Sequence, residues 1–275
     1  MSSDPFADRD PEQTVVVLPR HLAGAGPADL RTTWPFPFDK DWSLHQPEDG
    51  NAIAASPCLR LRTSRFEYGA RPGEYGEWIA TGHRDPFGPP TWEITFSPNT
   101  PLEFLRDVHT ELLDLYLEDP RIGRKWLLGE DCTAPHEVYA PLLVRGWSHR
   151  VKTDGTQLFR SPNALATVKH QYATTDTQAP AWTARGGPSH TPTWSAEFSH
   201  RTPTRLVASF TASLISTEPV LRTVKDIPAI TRRHVYEAPS ATASQSARSS
   251  SPVAPAQCRV APTPDRAAPA VRRGR

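Results

Sequence analysis

The chain has 275 residues, of which 37% are hydrophobic, and its formal net charge at pH 7 is +1. This length suffices for one or two domains with a sizeable core, and the balanced charge gives no argument from the whole chain for nucleic-acid binding. The cysteines Cys58, Cys132 and Cys258 are scattered and lack C-x-x-C spacing, so they indicate neither a disulfide framework nor a zinc site.

The beginning of the chain is polar. Residues 1–13 include two prolines and no apolar stretch, which predicts disorder and gives no sign of a secretory signal. The chain also lacks any run of the roughly 18–20 apolar residues that a membrane-spanning helix needs. We therefore expect a cytoplasmic protein without a membrane partner.

The elements predicted before residue 90 are short strands separated by turn signals. The apolar residues 15–17 predict a buried strand. A hairpin turn is predicted at Asp49-Gly50, because glycine adopts at little cost the positive φ that such a turn needs.

The clearest pair of elements follows. Trp92, Ile94 and Phe96 alternate with polar residues, as in a strand with one buried face. Apolar residues then recur at helical spacing over residues 102–117, which predicts a helix that packs on the sheet.

The start of this helix carries capping signals. Thr100 occupies the position of an N-cap, Pro101 the first helical position, and Glu103 the position three residues after the cap. Together these residues predict a capping box, in which the side chains of Thr100 and Glu103 bind free backbone N–H groups.

The same pattern occurs twice. Residues 92–101 align without a gap on residues 194–203. The whole repeat unit is about 100 residues, which is longer than the repeats of solenoid proteins. Each paired tryptophan would contribute on the order of 4–6 kcal/mol by burial, so we interpret the shared residues as structural. The shared residues of this kind are Trp42/Trp147, Trp78/Trp182, Trp92/Trp194, Phe96/Phe198, Thr100/Thr202 and Pro101/Pro203.

The repeat predicts an α+β fold of two tandem copies, residues 14–118 (the first repeat) and residues 119–236 (the second repeat). Each copy is expected to be an antiparallel sheet backed by its C-terminal helix, and the two are expected to pack as a pseudo-dimer. Residues 237–275 are rich in Ala, Ser, Pro and Arg without a period, which predicts a disordered tail.

Polar residues present in one copy only are the candidates for a binding site. His83, Arg84, Asp85 and Phe87 stand together between two predicted strands. The His-Arg-Asp triplet looks like a kinase catalytic loop, but Pro90 replaces the asparagine of that motif and no D-F-G is present. His83 and Asp85 could instead form a general base and its orienting group, which leaves an enzyme as one alternative.

The tail provides another alternative. Beyond Glu237 the sequence contains six arginines and one aspartate. Sparse positive charge contacts phosphate groups without sequence specificity, so the protein could be a nucleic-acid-associated accessory protein that uses this tail.

The run from Arg84 to Phe96, Arg-Asp-Pro-Phe-Gly-Pro-Pro-Thr-Trp-Glu-Ile-Thr-Phe, resembles the signature of the domain of unknown function 317 family of actinomycetes. The segments 19–24 and 56–57 are also similar to that family. The resemblance implies a cytoplasmic bacterial protein of two related modules, with no established activity and no catalytic residues to carry over. We expect a non-enzymatic protein that binds a protein partner and needs neither metal nor cofactor.

Overall fold

The computed structural model describes residues 4–27, 29–47, 50–68, 75–118, 127, 134–172 and 179–238. Its strands are β1 (Thr14–Leu18), β2 (Ser43–His45), β3 (Ala52–Ala55), β4 (Leu61–Tyr68), β5 (Tyr75–Gly82), β6 (Trp92–Phe96), β7 (Ser148–Val151), β8 (Gln157–Arg160), β9 (Ala166–His170), β10 (Trp182–Gly186), β11 (Trp194–Phe198), β12 (Val220–Thr223) and β13 (Tyr236–Glu237). Its helices are α1 (Leu30–Thr33), α2 (Leu102–Leu117), α3 (His136–Val144) and α4 (Thr204–Leu214), with short 3₁₀ helices at Arg20–Leu22, Val224–Asp226 and Arg232–His234.

Ten of these strands form one antiparallel sheet, in the order β2-β3-β4-β5-β6-β11-β10-β9-β8-β7. The first repeat supplies β2–β6, the second supplies β7–β11, and the halves join at β6 and β11. At this junction Thr95 lies opposite Glu197, its equivalent in the second repeat, and Phe96 lies opposite Ala196. The register is thus symmetric about a pseudo-two-fold axis, and the predicted α+β fold of two copies is confirmed.

Polar groups at the ends of β6 and β11 close the junction. The Ser97 N–H donates to the Ser195 carbonyl (2.9 Å), and the Ser199 N–H donates to the Glu93 carbonyl at the same distance. The Thr100 hydroxyl donates to the Ser195 carbonyl as well (3.2 Å). These bonds tie the two repeats together through their backbones.

The predicted capping box is wrong because its side chains have tertiary partners. Thr100 uses its hydroxyl at the junction, and α2 begins at Leu102, after Pro101, with no side-chain cap. The Leu102 N–H donates to the Ala25 carbonyl (3.0 Å), while Glu103 enters an ion pair described below.

The second repeat has the same arrangement. The Thr202 hydroxyl donates to the Glu93 carbonyl (3.4 Å), and α4 begins at Thr204, after Pro203. Both Thr-Pro pairs therefore join the repeats instead of capping the helices.

Helices α2 and α4 lie on one face of the sheet and share one core. Phe104 of α2 packs against Trp194 (ring centroids 5.4 Å apart) and against Phe210 of α4 (5.3 Å). Phe96 and Phe198 meet edge to face at 6.1 Å. Because these rings cross the boundary between the repeats, the two copies form a single hydrophobic core. The six paired tryptophans all lie within it: Trp42, Trp78, Trp92, Trp147, Trp182 and Trp194.

Each repeat also supports a tryptophan of the other. The Trp194 indole N–H donates to the His21 carbonyl (2.8 Å), and the Trp92 indole N–H donates to the Leu127 carbonyl. His21 precedes β2 and Leu127 precedes β7, so each of these two residues contacts a tryptophan of the opposite copy.

The two ends of the described chain form a second sheet, in the order β12-β1-β13. Val15 and Val17 of β1 pack there with Phe6, which is 2% exposed. The expected disorder of residues 1–13 is therefore wrong for residues 4–13, because burial of the Phe6 ring and backbone-bonded turns fix this segment. Strand β1 belongs to this small sheet and not to the sheet of the first repeat.

A buried ion pair fastens the small sheet to α2. Arg222 of β12 is 2% exposed, and its guanidinium donates to both carboxylate oxygens of Glu103 (2.8 and 2.6 Å). It also donates to the Gly24 carbonyl (3.2 Å). The planar guanidinium matches the carboxylate in geometry, so the buried charge is compensated.

The predicted tail, residues 237–275, lies outside the described residues except for its first two. Glu237 pairs with Val17 in the small sheet, so the folded part of the chain extends through it. Among the described residues, no helix has the length and apolar character that crossing a membrane would require.

Candidate functional site

The loop between β5 and β6 contains the four residues that the sequence selects for binding. His83 is 6% exposed; its Nδ1 donates to the Gly88 carbonyl (3.0 Å), and its Nε2 lies 3.0 Å from the Thr81 hydroxyl. Both ring nitrogens thus have partners, one within the loop and one on the strand that leads into it.

The other three residues shape the same loop. The Asp85 carboxylate accepts from the Phe87 N–H (3.0 Å), which forms a local side-chain turn, and the Arg84 N–H donates to the Thr91 hydroxyl (3.1 Å). Phe87 projects into solvent, 88% exposed. The structure brings the four residues into one loop, but neither nitrogen of His83 binds Asp85.

The face of the ten-stranded sheet opposite the helices is a larger surface. Along strands β3, β6, β9, β10 and β11, buried residues of the core alternate with residues that are exposed or half-buried. Of the side chains described on this second face, none belongs to either hydrophobic core. We call it the open face.

Four basic side chains stand on the second-repeat half of the open face. Arg150, Arg160, Lys169 and Arg185 lie on β7, β8, β9 and β10, one to a strand, and we call them the cationic tetrad. Arg150 and Lys169 both neighbour Leu158 in one row across the strands. Arg160 and Arg185 neighbour Thr167 in the next row. The four positive charges therefore alternate between two adjacent rows.

One carboxylate on the described strands of this half stands against the four positive charges of the tetrad. In the described ranges none of its members forms an ion pair. Glu197, on β11, is the acidic residue of this half among the described strands, and it lies opposite Thr183 and diagonal to Arg185. The surface is thus a concentrated positive patch.

The first-repeat half has the same strands without the charges. Its basic residue, Arg62, is accompanied by Glu77 and Glu93 on the same face. The charge of the open face thus changes sign from one repeat to the other. The residues at the positions equivalent to the tetrad are His45, Ala55, Ser64 and Thr81.

Comparison with known families identifies the repeats. The model of the SPDY domain, described as a domain of unknown function (DUF317), matches residues 55–117 and again residues 160–220. The chain contains two SPDY domains. The second match includes Arg160, Lys169 and Arg185 of the tetrad. No curated protein and no solved structure matches the chain.

Both SPDY domains keep a glycine under a tryptophan of the neighbouring strand. Gly82 lies opposite Trp92 and Gly186 opposite Trp194. A Cβ atom on either glycine would overlap the indole ring. This pair was not predicted, although glycine at the equivalent position directly after two predicted strands is a signal of close approach.

The second repeat also contains a cluster of aromatic and histidine side chains on its core side. The Tyr139 hydroxyl lies 2.5 Å from His170 Nδ1 and 3.1 Å from the Tyr172 hydroxyl, and the His170 ring stacks on Trp182 at 3.7 Å. Burial lowers the pKa of His170 to about 4, and the charge of nearby His200 acts in the same direction. Burial also raises the pKa of Tyr139. His170 and Tyr139 are therefore both uncharged at neutral pH.

A groove of about 470 Å³ separates the small sheet from the second repeat. His21, Arg145, Trp147 and Tyr236 are among its lining residues. His21 is 8% exposed, its Nε2 has no partner among the described residues, and burial lowers its pKa to about 4. The groove therefore combines a neutral imidazole with one cation, a weaker electrostatic feature than the tetrad.

The tetrad could not be predicted from a local motif, because its members are distant along the chain and only strand pairing brings them together. A signal was present: the alternation within residues 157–160, 166–170 and 182–186 places a basic residue on the polar side each time. Alignment of the two repeats singles out residues that both copies share. The tetrad occurs in one copy only, so the alignment does not reveal it.

Proposed function

We propose that this protein is a non-enzymatic binding protein whose ligand is a polyanion, bound on the second-repeat half of the open face. The observation that carries the proposal is the cationic tetrad, with one basic side chain on each of four adjacent strands and no ion pair among the described residues. Because strands hold these side chains at fixed spacings, the positive patch is organised before the ligand arrives.

The contacts of the candidate catalytic groups support the non-enzymatic part of the proposal. Both ring nitrogens of His83 have partners, in its loop and on β5, and His170 is stacked on Trp182 with its Nδ1 at the Tyr139 hydroxyl. These are contacts of packing and loop structure. A protein partner, which the sequence favoured, would have to present a cluster of acidic groups to this face. We place the activity in the cytoplasm of an actinomycete, as the family resemblance implies.

The test is elution of the full-length chain from immobilised heparin, a polyanion, by increasing salt. The tetrad variant combines Arg150→Gln, Arg160→Gln, Lys169→Gln and Arg185→Gln. A control variant of equal net charge neutralises four exposed cations outside the open face: Arg31→Gln, Lys40→Gln, Arg201→Gln and Arg233→Gln.

We expect the tetrad variant to elute at lower salt than the control variant, because local charge density and not net charge governs the contact. Elution of both variants at the same salt, or failure of the wild-type chain to be retained, would overturn the proposal.

A further inference from the structure

We infer that the polyanion is a nucleic acid, held by its phosphodiester backbone on the cationic tetrad; this inference rests on the function proposed above. The tetrad, its spacing and its neighbours on the open face each bear on the choice among polyanions.

The spacing of the tetrad matches a nucleic-acid backbone. Neighbouring strands lie about 4.8 Å apart, so β7 and β10 are separated by about 14 Å. Phosphates along one strand of a B-form duplex advance by about 3.4 Å each, so the tetrad covers the axial length of roughly four phosphates. Four cations therefore face about four phosphates.

The residues between the cations suit the same ligand. Thr167 lies between Arg160 and Arg185 in one row across β8–β10. Thr183 lies beside Lys169 in the other row, and Ser148 lies beside Arg160. Hydroxyl groups of this kind contact phosphate oxygens and position a protein on a backbone without reading its sequence. We therefore expect binding that is independent of base sequence.

The other classes of ligand, a protein and a membrane surface, match the tetrad less well. A protein interface has an apolar centre that contributes most of the binding energy, and the tetrad surrounds a single large apolar side chain, Leu158, on the described strands. Membrane surfaces recruit basic residues together with apolar anchors on helices or tails, whereas these cations are fixed on a flat sheet. Nucleic-acid interfaces are polar and strongly positive, as this surface is.

The experiment is fluorescence anisotropy with labelled duplex DNA, single-stranded DNA and single-stranded RNA of mixed sequence, titrated with the full-length chain at several salt concentrations. Four phosphate contacts predict a slope of log affinity against log salt of about −3.6 for duplex DNA and about −2.8 for a single strand. On duplex DNA the tetrad should therefore account for a drop in affinity of roughly 150-fold between 50 and 200 mM salt.

We expect the tetrad variant to lose this salt-dependent component and the control variant to keep it. Each single change, such as Arg160→Gln, should make the duplex slope less negative by about 0.9, which keeps the inference testable if the fourfold variant does not fold. A chain ending at Ala238, the limit of the compact unit, separates the tetrad from the basic tail.

The outcomes separate the inference from the function on which it rests. Tetrad-dependent binding to any of the three probes supports the inference, and the tightest probe identifies the form of nucleic acid. Heparin retention that depends on the tetrad, without tetrad-dependent binding to any nucleic acid, overturns the inference and leaves the proposed function standing. Binding that the tetrad variant retains and the shortened chain loses assigns the contact to the tail and also overturns it.

Discussion

In both repeats a strand tryptophan packs over a glycine of the next strand, and a Thr-Pro pair joins the two copies at the centre of the sheet. On the open face the same strands differ, with four basic residues in the second repeat and His, Ala, Ser and Thr in the first. Positions inside the shared core are constrained by close packing in both copies. Exposed positions carry no such constraint, so one copy could acquire a charged surface without loss of the fold.

A second difference lies inside the core. His109 of α2 is fully buried, and its Nδ1 donates to the Thr33 carbonyl of α1 (3.1 Å). At the equivalent position of α4, Thr211 donates its hydroxyl to the Val207 carbonyl of its own helix (3.0 Å). The histidine is thus tied to a helix of the first repeat, whereas the threonine satisfies its hydroxyl locally.

The largest expected effect tests what the repeats have in common. Trp92→Ala and Trp194→Ala should each lower the free energy of unfolding by about 3–5 kcal/mol, because each leaves a cavity in one shared core. Chemical denaturation measures this, with the exposed Phe87→Ala as a control expected within about 0.5 kcal/mol of wild type. A large effect in one repeat and none in the other would show that the copies do not share a core.

The next prediction concerns His109. Burial lowers its pKa to about 4, and the bond to the Thr33 carbonyl opposes this only in part. The unfolded chain therefore binds more protons than the folded chain between about pH 6.5 and pH 4, and stability falls as the pH decreases through this window. The contribution of His109 is up to about 3 kcal/mol.

The measurement compares the unfolding free energy of wild type and His109→Gln from pH 7 to pH 4. The variant should lose less stability over this range, whatever its stability at pH 7. Burial also lowers the pKa of His21 and His170, and both residues remain in both proteins. The difference between the two pH profiles therefore isolates His109. Parallel profiles would show that His109 is not held neutral by burial.

A smaller effect is expected at the two strand glycines. Gly82→Ala and Gly186→Ala should each cost about 1–3 kcal/mol, because the added methyl group overlaps an indole ring that cannot move freely in the core. A double-mutant cycle with Trp92→Phe should show that Gly82→Ala costs less when the smaller ring is present. Additive effects at these two sites would contradict the packing described here.

The smallest effect comes from giving the first repeat the charges of the second. His45→Arg, Ala55→Arg, Ser64→Lys and Thr81→Arg would place the four cations of the tetrad at the equivalent positions on its half of the open face. A second site of equal strength should tighten the binding of a short duplex about twofold, or about 0.4 kcal/mol. Anisotropy measures this; unchanged affinity would mean that the second-repeat surface contributes more than its charge.

Much of the fold could be predicted from the sequence because the relevant signals are local or repeated. The alternation around Trp92 predicted β6, and the helical spacing predicted a helix over residues 102–117, the bounds of α2. The alignment of the two copies predicted two similar halves. The prediction of the capping box was wrong because the Thr100 side chain binds the other repeat and the Glu103 side chain binds β12.

Only part of the candidate site could be predicted from the sequence. His83, Arg84, Asp85 and Phe87 are adjacent in sequence and share a loop, so their proximity could be predicted, but the contacts of His83 could not. The members of the tetrad come together through strand pairing, and no local pattern gives the register of one strand against another.

The sequence by itself determined the α+β class, the duplication and the residues whose burial holds each copy together, because these depend on the period of apolar residues along the chain. The tertiary structure alone decided that the copies merge into one ten-stranded sheet and that the two chain ends pair. It also decided that Phe6 is buried and that four separate cations form one surface. The physical reason is that these features depend on contacts between residues distant in sequence, where pairing partners and not local preferences fix the geometry.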